Sequence, residues 1–153
     1  MKTSAVFIAI LLSFSIAAAQ QPKIDSLQRG MEHAEGEERI QFMTRLGHVY
    51  IEKQPDKAMD YLSQALKLAK AGNYKTEKAV IYSYLGYYYF MESRLDSAMH
   101  FTRKAFAQKQ HLKTPQKLHY LYSNLAIIYE RRGQLDSSMH YYQKQLKIAK
   151  KHN

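Results

Sequence analysis

An internal repeat constrains this chain more than any other feature. Arg94-Leu95-Asp96-Ser97-Ala98-Met99-His100 recurs as Gln134-Leu135-Asp136-Ser137-Ser138-Met139-His140, an offset of 40 residues. Upstream, Tyr82-Ser83-Tyr84-Leu85-Gly86-Tyr87-Tyr88-Tyr89 aligns with Tyr122-Ser123-Asn124-Leu125-Ala126-Ile127-Ile128-Tyr129 at the same offset. An earlier copy, Met43-Thr44-Arg45-Leu46-Gly47-His48-Val49-Tyr50, lies 39 residues before the second and is one residue shorter at its turn. A period of this length means one supersecondary unit per copy, which buries its apolar face only by stacking on its neighbours.

Within each copy, apolar residues recur at three- and four-residue steps and no strand-like alternation occurs, so each unit reads as two amphipathic helices. The predicted spans are 37–53, 56–71, 75–92, 95–111, 115–132 and 135–151, with a weaker leading helix over 22–34. Pro55, Gly72 and Gly133 fall in the turns, and Pro115 suits the first turn of a helix. Asp96 and Asp136, near helix starts, are expected to accept free backbone N–H groups, and Glu37 and Glu38 to complement the positive end of a helix dipole.

These repeated residues resemble the tetratricopeptide repeat. Its first helix carries a large residue (Met43, Tyr82, Tyr122), a Leu-small pair (Leu46-Gly47, Leu85-Gly86, Leu125-Ala126) and a tyrosine (Tyr50, Tyr89, Tyr129). The second carries a small residue (Ala58, Ala98, Ser138), a larger one (Leu62, Thr102, Tyr142) and then Ala65, Ala105 or Gln145. Small residues let two backbones approach, and large ones fill the flanking space. The period of 39–40 exceeds the usual 34, and the chain has no Trp. The resemblance implies an all-α fold, a right-handed superhelical array of antiparallel helix pairs with about three repeats over 37–73, 74–113 and 114–153, after a lead-in over 20–36. It also implies a concave face lined by first helices: Thr44, His48 and Ile51, then Ser83, Tyr87 and Phe90, then Ser123, Ile127 and Glu130. The Lys, Asn and Arg positions with which some family members clamp a terminal carboxylate are largely missing, with Arg45 and Asn124 as isolated matches. A mixed apolar and aromatic groove of this kind suits an extended peptide or an amphipathic helix.

The N-terminus reads as an address. Lys2 precedes an uncharged apolar run from Ala5 to Ala19 that ends in small residues, the pattern of a secretory signal peptide over 1–19. Those residues fall short of the roughly 20 that cross hydrocarbon, so no transmembrane span is expected beyond the signal peptide. With no cysteine, disulfides, thiolate nucleophiles and Cys-based metal sites are excluded, which suits a bacterial periplasm or cell envelope. The chain is also similar to the exported N-terminal repeat region of bacterial proteins in which such repeats precede a sensor kinase or transcriptional regulator. Charge is uneven: residues 20–60 carry six basic and eight acidic side chains, net −2, and residues 61–153 carry sixteen and five, net +11. That basic portion reads first as a solvated lysine face and secondarily as a binder of anionic polymer or lipid, with nucleic acid disfavoured by export.

No Gly-rich phosphate loop, nucleophile elbow or His-Glu-x-x-His pair occurs, so the sequence offers no catalytic residues. His100 and His140 sit one repeat apart, where ligands on one helix would be four residues apart, and neither a metal nor a cofactor is expected. The expectation is a non-catalytic protein–protein interaction module of the cell envelope that takes a protein or peptide in its concave groove. The alternatives are a sensory input domain and a binder of anionic envelope polymers. Tyr142, Leu146 and Ile148 in the last repeat are expected to leave apolar surface uncovered, to be met by self-association, a docked partner or further chain.

Overall fold

The computed structural model describes residues 21–152. The expected signal peptide lies outside the described residues, and so does Gln20. Helix α1 spans 21–33. It is followed by α2 (Gly36–Tyr50), α3 (Pro55–Ala71), α4 (Lys75–Met91), α5 (Leu95–Ala107), α6 (Pro115–Arg131) and α7 (Leu135–His152), with a 3₁₀ turn at Lys109–His111. No strand occurs among the described residues. Adjacent helices pack as pairs, α2 on α3, α4 on α5 and α6 on α7, the pairs stack through α3 on α4 and α5 on α6, and α4 also contacts α2 and α6. The molecule is therefore an all-helical repeat array.

Two helices stop short of their sequence-based spans. The first ends at Tyr50, and Ile51 to Lys53 form a turn whose Ile51 is buried. The helix expected over 95–111 ends at Ala107. Pro115 opens the next helix and disfavours helical backbone at Thr114, which is extended (φ −91°, ψ 142°). The 3₁₀ turn before it drops Leu112 into the core, where it is 1% exposed. Pro55, placed in a turn from sequence, is the first residue of α3, where its missing N–H costs nothing.

The small-residue positions behave as steric logic requires. A Cβ on Gly47 would come within 2.7 Å of Leu62 Cγ, and one on Gly86 would collide with the Thr102 hydroxyl. The two glycines mark where a first helix touches its partner most closely. Leu46, Ala58, Leu85, Ala98, Leu125 and Ala126 are buried, as are Tyr50 and Ser138, while Tyr89 and Tyr129 are half-buried. Those tyrosines have a role that the family pattern alone does not specify. In all three pairs the first-helix tyrosine lies nearly parallel to an aromatic ring on the second helix. Tyr50 stacks on Tyr61 at 5.9 Å and 5°, Tyr89 on Phe101 at 5.2 Å and 9°, and Tyr129 on Tyr141 at 5.6 Å and 4°. Offset stacks of this kind contribute about 0.5–1.5 kcal/mol beyond the area they bury. Lysines on the second helices cover such rings from outside. Lys104 lies 5.7 Å from the Tyr82 centroid, and one repeat later Lys144 lies 5.8 Å from that of Tyr122. Part of the basic surface thus shields aromatics.

The turns repeat as well. After α4, Ser93 adopts φ 58°, with Ser93 N–H donating to Phe90 O (2.9 Å) and Arg94 N–H to Tyr89 O (2.8 Å). After α6, Gly133 adopts φ 72° with the corresponding bonds to Glu130 O and Tyr129 O, both 2.9 Å. This left-handed closure satisfies the last helical carbonyls. In the shorter first repeat the chain closes instead through Gln54 N–H to Tyr50 O at 2.8 Å. Asp96 does not cap backbone as expected. Arg94 occupies the N-cap position with no side-chain cap, and Asp96 accepts from Arg132 Nη2 at 2.9 Å, an exposed ion pair joining consecutive repeats. Exposure limits its worth to about 1 kcal/mol or less.

Candidate peptide-binding groove

Helices α2, α4 and α6 lie side by side, so residues on their common face form one surface. His48 of α2 stacks on Tyr84 of α4 (4.3 Å between centroids, 13°), and the edge of Tyr120 of α6 meets both, at 5.4 and 4.9 Å. Tyr87 extends the tier, packing edge-on to Tyr120 at 6.0 Å and stacking on Phe90 at 6.5 Å, with the Arg131 guanidinium 5.6 Å from the Phe90 centroid. Five aromatic rings from three helices are in contact. The Tyr87 hydroxyl donates to Glu52 Oε1 at 2.8 Å, while the Tyr120 hydroxyl is buried without a hydrogen-bond partner.

Burial sets the protonation of this tier. It holds the His48 imidazole below its ordinary value, with Lys23 acting in the same direction and Glu52 opposing, so His48 is neutral at physiological pH. The Tyr87 hydroxyl is pushed up to about 12, first by burial and then by its bond to Glu52. Burial also raises Tyr84 and Tyr120. The phenols are therefore donors and never anions at neutral pH.

Beside the tier two cavities of about 250 Å³ each open between α2, α4 and the start of α6, sharing Val80, Tyr84, Gln116 and Lys117 as walls. Ser83, Leu112 and Tyr120 complete the first, and Gln41, Thr44, Arg45, Glu77 and Thr114 the second. The cleft is apolar within and cationic at its mouth, where Arg45 is exposed and Lys117 half-exposed. Glu77, 5% exposed, is its one acidic wall residue. Burial and the nearby Glu37 raise its carboxyl, while its own backbone and Gln41, which donates to it at 3.3 Å, act to lower it.

The structure places the groove residues expected from sequence in three different settings. His48, Tyr87 and Phe90 join the aromatic tier. Ile127 is half-buried against the small cluster of Ala98, Met99 and Ile128, and Ser123 is half-buried on α6. Thr44, Ile51 and Ser83 are 3–4% exposed, Thr44 and Ser83 as walls of the two cavities. Thr44 Oγ1 donates to Ile40 O at 2.6 Å, and Ser83 accepts from the buried Asn124 Nδ2 through its carbonyl (2.8 Å) and its hydroxyl (3.3 Å). Glu130 is exposed but turns the other way, accepting from Tyr142 of α7 at 2.8 Å. The residues at the cleft and tier lie about one residue from the expected stripe: Gln41, Arg45 and His48 on α2 with Glu52 in the turn after it, and Val80, Tyr84 and Tyr87 on α4. Tyr84 and Tyr120 were missed. Their signal was chemical, since large aromatics stand where the other copies carry Arg45, Asn124 and Gln41, Val80. Asn124, an isolated match to the carboxylate clamp, is committed to Ser83.

Among the described residues no group of three His, Asp or Glu side chains is placed to hold a metal ion, and no helix is long and apolar enough to cross a membrane. Residues 119–152, covering most of α6 and α7, match the family model of the tetratricopeptide repeat. No curated protein matches the chain. The match supports a tetratricopeptide repeat assignment, and such repeats generally mediate protein–protein interactions and are generally non-catalytic.

Proposed function

We propose that this chain is a non-catalytic peptide-binding module of the bacterial cell envelope, exported by residues 1–19, and that its ligand lies across α2, α4 and α6. The observation that carries the reading is the aromatic tier of His48, Tyr84, Tyr87 and Tyr120 with the two-part cleft beside it. Rigid aromatics supply contact area at low entropic cost, and the unpartnered Tyr120 hydroxyl adds a donor for a ligand that reaches it. The chemistry favours an extended peptide that inserts an apolar or aromatic side chain against Val80, Tyr84 and Leu112 and sets an acidic residue before Arg45 and Lys117.

Residues 21–153, a region whose helices pack as one unit, can be panned against a displayed library of random peptides. We expect enriched sequences pairing an aromatic with an acidic residue, and NMR shift changes centred on Arg45, Tyr84, Lys117 and Tyr120. Arg45→Glu with Lys117→Glu, both at the rim, should leave folding intact and weaken binding by about tenfold or more. Equal affinity of that variant for the same peptides would sink the groove assignment.

A further inference from the structure

The outer side of α7 bears a second surface, separate from the groove. Leu135, Met139, Tyr142 and Leu146 recur at four- and three-residue steps and are 65%, 61%, 38% and 53% exposed. With Glu130, Ser138 and Gln143 they line a shallow groove of about 360 Å³. One repeat earlier the equivalent positions are Leu95, Met99, Thr102 and Phe106. There α6 packs on α5, and Met99, clustered with Ile128 of α6, is 3% exposed. The stripe on α7 is thus a packing face of the array, built to be covered by a helix.

At about 100° per residue, Leu135, Met139, Tyr142 and Leu146 lie within about 60° of one another around α7, and Asp136, Lys147 and Lys150 all fall on one flank of the stripe. That flank is bipolar: the carboxylate stands at the start of the helix and the lysines near its end. A two-fold axis crossing near Tyr142 would set two α7 helices antiparallel and lay each stripe on the other. It would also keep the charged flanks on the same side, so that Asp136 of each copy meets Lys147 and Lys150 of its partner. Parallel pairing would instead carry the charged flanks to opposite edges of the contact and leave Asp136 without a lysine across it. Head-to-tail stacking is disfavoured from the other end, because α1 turns Lys23, Asp25, Ser26, Arg29, Glu32 and His33 outward. An isologous contact also closes on itself, where a heterologous one would propagate.

We propose that the α7 face is an antiparallel two-fold interface between two copies of this chain, with Leu135, Met139, Tyr142 and Leu146 at its centre and reciprocal Asp136–lysine pairs along one edge. The test is the solution mass of residues 21–153 by sedimentation equilibrium, from about 1 to 200 μM, the range over which interfaces of modest area associate. The mass of two copies is expected at the upper end. Met139→Glu with Leu146→Glu, both exposed, should give the mass of one copy with unchanged helical circular dichroism. Lys147→Glu with Lys150→Glu should weaken the dimer by about tenfold, and adding Asp136→Arg should restore it to within about threefold, because the reversed charges pair again across the axis. A single-copy mass throughout overturns the proposal and leaves the face to another occupant. A dimer indifferent to the glutamate pair, or one not rescued by the third reversal, overturns it equally.

Discussion

A single backbone angle separates two otherwise equivalent turns. Ser93 and Gly133 close α4 and α6 with the same pair of backbone hydrogen bonds, and both have positive φ, but only one is glycine. A side chain in the left-handed region costs roughly 1 kcal/mol, because Cβ crowds the following carbonyl. Ser93→Gly should therefore raise stability by about 0.5–1 kcal/mol, less the entropy that glycine gives back to the unfolded chain. Chemical denaturation would show it, and an unchanged or lower midpoint would mean that the Ser93 hydroxyl has a compensating role. At the same scale Asn124 is decisive. Its amide bridges to Ser83 between α4 and α6, so this position holds two repeats in register and is not open to a ligand.

Among elements, α2 carries a pH dependence of its own. His48 lies between Tyr84 and Tyr120, and burial holds its pKa in the folded state below the ordinary imidazole value. The unfolded chain therefore binds the proton first, so stability falls as pH drops through that value and is fully retained above it. The melting temperature of the parent should fall more steeply between about pH 7 and 5 than that of His48→Phe, which keeps the ring and removes the proton. Parallel curves would exclude His48 as the source. The helices themselves were legible in the sequence because apolar spacing and helix formation share one period. Turn chemistry was less so: in the shortened first repeat α2 stops at Tyr50, and α5 stops at Ala107, giving way to the 3₁₀ turn before Pro115. The groove was read about one residue out of phase because the side that a helix shows depends on its rotation against its neighbours. Thr44 and Ser83, expected on the concave face, are buried as walls of the cavities. His48 and Tyr87, expected on the concave face, stand in the aromatic tier beside Tyr84 and Tyr120, which the family pattern does not single out.

Across the whole molecule, stability in such an array is a sum over units and their interfaces. The main core runs from Leu27 of α1 to Leu121 of α6, and α7 contributes almost nothing fully buried beyond Ser138. Local opening should begin there. Amide hydrogen exchange should be faster along α7 than along α3 or α5, and α7 protection should rise with protein concentration if two copies pair through it. Slowest exchange in α7 at micromolar concentration would contradict this gradient. The nearly parallel ring pairs offer a way to watch it. With no Trp in the chain, near-ultraviolet optical activity comes mainly from tyrosine. The two nearly parallel Tyr–Tyr pairs between the helices of a repeat, Tyr50 on Tyr61 and Tyr129 on Tyr141, stand at opposite ends of the array, while the middle repeat has Tyr on Phe. Tyr61→Phe or Tyr141→Phe would remove one of these stacks in turn, so the difference between parent and variant spectra times the melting of each end without any added label.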